Sequence, residues 1–229
     1  ILSIGSYSEY KVIDADKVVK LPREITEKQA AGMMLKGCTV QYLIKQTYKI
    51  LPGDTVLIHA AAGGVGLIAC QWAKHLGATV IGTVGSDEKA AIAKQNGCDY
   101  PIVYTKEDFV PIVMDITKGK KLPIVYDSVG KETLINSMDC LQPRGLLVSY
   151  GNASGSPPKI DVLTLMQKGS IFLTRPNLAH YILDRESILK MSEDLFSVVI
   201  NNEVKISIDQ LYDIEKVSKA HEDIENSSN

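Results

Sequence analysis

Several features that mark particular protein classes are scarce or missing in this sequence. Its four cysteines, Cys38, Cys70, Cys98 and Cys140, are widely spaced and form no Cys-x-x-Cys pair. Such spacing supplies neither a disulfide framework nor the cluster a structural zinc needs. Reduced thiols and a cytoplasmic location are therefore expected. Positive charge is not in excess, with 25 Lys and Arg against 27 Asp and Glu, a formal charge of -2 and a pI near 6.1. A chain balanced in this way has no general attraction for phosphate backbones or anionic lipid, so neither nucleic acid nor a membrane surface is an expected partner. No apolar run approaches the roughly 20 residues that a membrane span needs. Internal repeats and low-complexity tracts are also missing. What is present is the composition of a globular protein: 229 residues, 45% hydrophobic, enough for a sizeable core in one or two domains. The chain begins on Ile1, and further residues are expected upstream of it.

Along the chain, "SYSEYKVIDADKVVKLP" (6–22) sets short β-favouring runs on either side of the turn-like "DAD" and predicts a hairpin. From Thr26, a plausible N-cap, apolar residues recur at helical spacing as far as Pro52 and Gly53, which predicts a long, broken helix. Apolar runs at 55–60, 79–84, 100–104, 122–127 and 145–151 then alternate with amphipathic segments, and "SIFLTR" (170–175) adds a sixth. Runs this apolar suit strands covered on both faces. The expected fold class is therefore α/β, a doubly wound parallel six-stranded Rossmann sheet. "EVKISI" (203–208) reads as one more strand, returning to the first sheet.

The most informative segment is "GDTVLIHAAAGGVGLIACQWAK" (53–74). Gly63, Gly64 and Gly66 follow a predicted strand and open a predicted helix, the context that makes a glycine pattern a dinucleotide fingerprint. Glycine lets the backbone approach a diphosphate, and the helix's opening N–H groups and positive dipole end attract its charge. The alternative is a strand-to-helix turn that binds nothing. An NAD site places an acid about 20 residues further on, at the end of the second strand. Here Val84 and Gly85 stand at that point, and Lys89 follows in the first turn of the next helix, which favours NADP. Asp87 and Glu88 are explained by the helix dipole behind the N-cap Ser86. Lys89 has its own bland reading as a solvated surface charge, and Tyr104 either stacks near the same phosphate or covers the core.

These residues carry a resemblance. The run from Gly53 to Lys74 resembles the signature of the quinone oxidoreductase and zeta-crystallin family, within the medium-chain dehydrogenase/reductase superfamily. "GSYSEY" (5–10), "LKGCTVQYL" (35–43), "GTVGSDEK" (82–89), "VYDSVG" (125–130), "YGNASG" (150–155) and "LTRP" (173–176) extend it over nearly the whole chain. The resemblance implies a GroES-like β domain, of which residues 1–35 and 203–229 are parts, the rest lying mostly before Ile1, and a Rossmann NADP-binding domain over 36–202. It also implies that relatives continue beyond the C-terminus. By the same resemblance Thr39 contacts the nicotinamide end, Gly63, Gly64, Val65 and Gly66 the diphosphate, and Gly85, Lys89 and Tyr104 the adenosine 2′-phosphate. Ser128, Tyr150, Gly151, Asn152, Phe172 and Thr174 then line the rest of the cofactor cleft. Each has a plainer reading: Phe172 and Tyr150 as core, Gly151 and Asn152 as a strand-end turn. Zinc-dependent branches of the superfamily place a catalytic cysteine four residues before the threonine of "LKGCT". Leu35 occupies that place here, and Cys38 is expected to pack as a small hydrophobe. No metal is expected.

The implied activity is NADPH-dependent reduction of a quinone, in which the cofactor carries the hydride chemistry and the protein orients it. No residue is assigned as catalytic. His59, His75, His180 and His221 are far apart, and His59, in the first strand, reads as a hydrogen-bonded core residue. The alternatives are an NADPH-dependent enone or enoyl C=C reductase, and a non-catalytic NADPH-binding role as a crystallin-like or RNA-binding protein, against which the charge argues. The resemblance further implies a homodimer joined through the edge formed by the sixth strand.

Overall fold

The computed structural model describes residues 5–227, so the outer limits expected for the domains at residues 1 and 229 lie outside it. The first helix, α1 (Glu27–Tyr42), starts where the sequence predicts. The Thr26 hydroxyl accepts from the Gln29 N–H while the Gln29 side chain accepts from the Thr26 N–H, a reciprocal capping box. The helix runs into a π-helical turn, Leu43–Thr47, and stops at the extended Tyr48, so the expected break lies at this widened turn.

Strand and helix then alternate: β1 (Thr55–Ile58), α2 (Gly64–His75), β2 (Thr79–Val84), α3 (Asp87–Gln95), β3 (Tyr100–Val103), α4 (Phe109–Ile116), β4 (Leu122–Asp127), α5 (Leu134–Asp139), β5 (Leu141–Ser149), α6 (Val162–Gln167) and β6 (Phe172–Thr174), followed by α7 (Arg185–Ile200) and α8 (Val217–Ser227). All six strands are parallel, in the order β3-β2-β1-β4-β5-β6. The chain winds outward from β1 to β3 and restarts at β4 beside β1, which makes the β1/β4 boundary the topological switch point. One apolar layer, with Met33, Val40, Trp72 and Leu195, packs α1, α2 and α7 on one face. The other, with Phe109, Val113, Leu134 and Met138, packs α4 and α5 on the opposite face. The two layers explain why the strands are apolar throughout rather than alternating.

The structure corrects two strand expectations. Residues 6–22 form no hairpin: Asp14 caps a short 3-10 turn at Ala15–Lys17, and Tyr10 (91% exposed) and Val12 (102%) stand in solvent. A two-stranded hairpin with no apolar face to bury is marginal, and the segment is held instead by Arg185, which donates to the Ala15, Asp16 and Val18 carbonyls, and by Val19 and Leu21 packing against the core. "EVKISI" forms no strand and joins no sheet among the described residues: 203–204 bend and 205–208 have no regular structure. Instead the Gln71 side-chain amide donates to the Lys205 carbonyl (3.1 Å) and accepts from the Lys205 N–H (2.8 Å), imitating a strand neighbour for one residue.

Candidate cofactor site

The fingerprint lies at the carboxyl end of β1, on the switch point. Ala60 takes a left-handed conformation (φ 51°) and its carbonyl accepts from the Gly63 N–H at 2.9 Å. A β-carbon on Gly66 would lie 2.2 Å from that carbonyl oxygen and 2.8 Å from the Ala61 backbone, so only glycine lets α2 start this close to β1. The N-cap Gly63 makes no side-chain capping bond. The opening amides of α2, from Gly64, Val65 and Gly66, therefore meet no side-chain acceptor and keep the donors a diphosphate would use.

At the end of β2, a β-carbon on Gly85 would have only the Tyr104 hydroxyl near it, at 4.0 Å. This is open space rather than a packing constraint, and it fits a phosphate or ribose. Ser86 caps α3 by accepting from the Lys89 N–H at 3.3 Å, which places half-buried Lys89 in its first turn as expected. Asp87 pairs with Lys106 on the exposed side, so its charge is locally countered. Tyr104 also packs against the α4–α5 layer, as its reading as a core cover expects. Burial, reinforced by the nearby Glu132 carboxylate, raises its phenol above the ordinary tyrosine value.

Ser128, Tyr150, Gly151 and Asn152 are brought together where two turns interlock. The Ala153 N–H donates to the Ser128 carbonyl (3.1 Å) and the Ser154 N–H to the Val129 carbonyl (2.9 Å). A β-carbon on Gly151 would fall 2.4 Å from the Ser128 carbonyl oxygen. Tyr150 packs against the core, and burial raises its phenol, partly offset by a hydrogen bond from Ser128. Thr174 lies level with Val148 on β5, near the same strand ends. Thr39 is half-buried on α1, its hydroxyl donating to the Leu35 carbonyl at 2.9 Å. Phe172 is set apart: it lies two residues before Thr174 at the open edge of the sheet and is 57% exposed.

Sequence reasoning missed two residues that shape this cleft. Fully buried Asp127 accepts through Oδ1 from the Val129 and Gly130 N–H groups (2.8 and 2.9 Å) and through both oxygens from the Thr133 hydroxyl. Arg175 donates to the Gly151 carbonyl at 2.8 Å and to Ser149 Oγ at 3.2 Å. The "VYDSVG" and "LTRP" runs contain both residues, but neither run signals that its partners come from elsewhere in the chain. His59 is the core residue it was read as, bridging Thr83 (2.7 Å) and Ser137 (2.8 Å), with burial lowering its pKa against the opposing pull of Asp127. Cys38 is buried, and burial pushes its thiol up to about 12, as befits a packed hydrophobe. Among the described residues, no group of three or more His, Cys, Asp or Glu is placed to hold a metal ion, and no helix is long and apolar enough to cross a membrane.

Residues 64–187 match the family model described as zinc-binding dehydrogenase. A quinone oxidoreductase from Pseudomonas aeruginosa is 48% identical over 96% of this chain and 68% of its own length. A 2-haloacrylate reductase from a Burkholderia species is 46% identical over 95% of this chain and 66% of its own. The crystal structure of Escherichia coli quinone oxidoreductase complexed with NADPH superposes with a TM-score of 0.94 at 48% identity, covering 97% of this chain and 69% of that one.

Proposed function

From the premise that the chain belongs to the zinc-binding dehydrogenase family, and within it to the quinone oxidoreductases, we propose that it binds NADPH at the carboxyl ends of β1, β2, β4 and β5 and passes its reducing equivalents to a quinone. The observation that carries this reading is the uncapped start of α2, pressed so close to Ala60 that position 66 tolerates no side chain. NADPH, when bound, supplies the hydride chemistry. The amides of Gly64, Val65 and Gly66 hold the diphosphate. Gly85 leaves room for the 2′-phosphate, Lys89 meets its charge, and Tyr104 closes that end of the cleft. Ser128, Tyr150, Gly151, Asn152 and Thr174 form the wall beside the remainder, with Thr39 facing the nicotinamide end from α1.

The exposed Phe172 on the outermost strand, together with the exposed Val162, Leu163 and Met166 of α6, supports a homodimer formed through this edge rather than a role for Phe172 in the cleft. Four cysteines without a disulfide support a cytoplasmic location.

The reading is tested by titrating the protein with NADPH and NADH in parallel. Lys89→Ala weakens NADPH about tenfold or more, the loss of one charge-assisted phosphate contact, and leaves NADH within about twofold. Equal losses for both cofactors would remove Lys89 from the 2′-phosphate site. Monitoring NADPH oxidation with quinones and 2-haloacrylates side by side separates the proposed acceptor from an activated C=C bond; turnover of the latter alone would replace it.

A further inference from the structure

Arg175 lies one residue beyond β6 and reaches back over the end of β5. Its Nη1 donates to both Ser149 Oγ and the Gly151 carbonyl, so one guanidinium edge holds the last residue of β5 and the turn that follows it. Gly151 has little room on its other side, because a β-carbon there would fall 2.4 Å from the Ser128 carbonyl oxygen. The two interlocked turns, 128–130 and 150–155, are therefore fixed at two points. Asp127 holds the first by its N–H groups, and Arg175 holds the second by its carbonyl.

Arg175 forms no ion pair with a carboxylate among the described residues. Its partners are neutral, and its charge is felt at Tyr42, where it opposes the burial that raises that phenol to about 12. A surface-exposed arginine with only neutral acceptors adds little to global stability. What it does fix is the direction of one peptide plane in the wall of the cleft.

We propose that Arg175 is a positioning residue of the cofactor site, holding the Gly151–Asn152 turn in the orientation the nicotinamide half requires. This rests on the NADPH reading above. The guanidinium is suited to the task because its donors are planar and fixed relative to one another, so little ordering is left to be done when the cofactor arrives.

The test compares the parental protein with Arg175→Ala by three measurements: NADPH affinity, thermal midpoint, and amide hydrogen exchange of residues 150–155 without cofactor. Loss of the two charge-assisted bonds weakens NADPH about tenfold and speeds exchange at Ala153 and Ser154, while the midpoint moves by no more than about 2 °C. Millimolar guanidinium restores most of the affinity in the variant and changes nothing in the parent. If Arg175→Ala matches the parent in affinity and exchange, the proposal fails while the cofactor reading stands. A loss of affinity that guanidinium does not restore, together with a large fall in the midpoint, also overturns it, because that outcome is general destabilisation. If the parent itself fails to bind NADPH, both readings fall.

Discussion

Gly66→Ala weakens NADPH binding by about two orders of magnitude. The added β-carbon would lie 2.2 Å from the Ala60 carbonyl oxygen, well inside contact distance, and the atoms it meets are backbone rather than a movable side-chain tip. Ala60 cannot yield easily, since it is already in a left-handed conformation and its carbonyl holds the Gly63 N–H. The start of α2 must move instead, carrying the opening amides away from where a diphosphate sits. Overpacking of this kind costs about 1–3 kcal/mol or more, and displacing two or three phosphate donors adds a comparable loss, so affinity falls by about a hundredfold or more. Isothermal titration measures it. A variant that binds within about twofold of the parent would show that the tight helix start plays no part in holding the cofactor.

The largest effect on stability is expected at Asp127. Its carboxylate, with no exposed surface, accepts from two backbone N–H groups and the Thr133 hydroxyl, and lies 3.4 Å from Ser137 Oγ. Ser137 in turn contacts His59, which contacts Thr83, so a buried polar chain ties together the ends of β1, β2 and β4 and the body of α5. Asp127→Ala leaves these donors facing a small void, at roughly 1–3 kcal/mol for each group left unpaired. A net loss of about 4 kcal/mol lowers the thermal midpoint by about 10 °C in a chain of this size. Asp127→Asn retains one acceptor oxygen and loses about half as much. Calorimetry on the two variants decides it, and equal midpoints for Asp127→Ala and the parent would refute the network's importance.

The difference between these residues and the glycines shows what sequence made legible. The sheet could be read because strands covered on both faces become apolar runs, a signal local to each run. Helix starts could be read because Thr26 and Ser86 each cap a helix within three residues of themselves. The glycine fingerprint was visible because all its parts are adjacent. The segments at 6–22 and 203–208 misled because β propensity describes a residue's fitness for a sheet, while forming one depends on what lies alongside. Gln71, which supplies that neighbour for Lys205, is 134 positions away. The cleft wall was likewise only half legible. Gly151 and Asn152 were named through family resemblance, but the groups that hold their turn, Asp127 and Arg175, work through partners that no periodicity marks. His59 was correctly placed in the core, yet its two partners, 24 and 78 residues distant, could be identified only in three dimensions.

The buried cysteines bear on the chemistry in a different way. Quinones are electrophiles as well as oxidants, and they arylate accessible thiolates. Cys38, Cys70 and Cys140 are fully enclosed and Cys98 is 2% exposed, while burial drives the thiols of Cys38 and Cys140 up to about 12. Folding therefore keeps all four thiols out of reach of the acceptor the chain is proposed to reduce, and holds those of Cys38 and Cys140 protonated as well, so covalent adducts at sulfur would mark molecules that have opened.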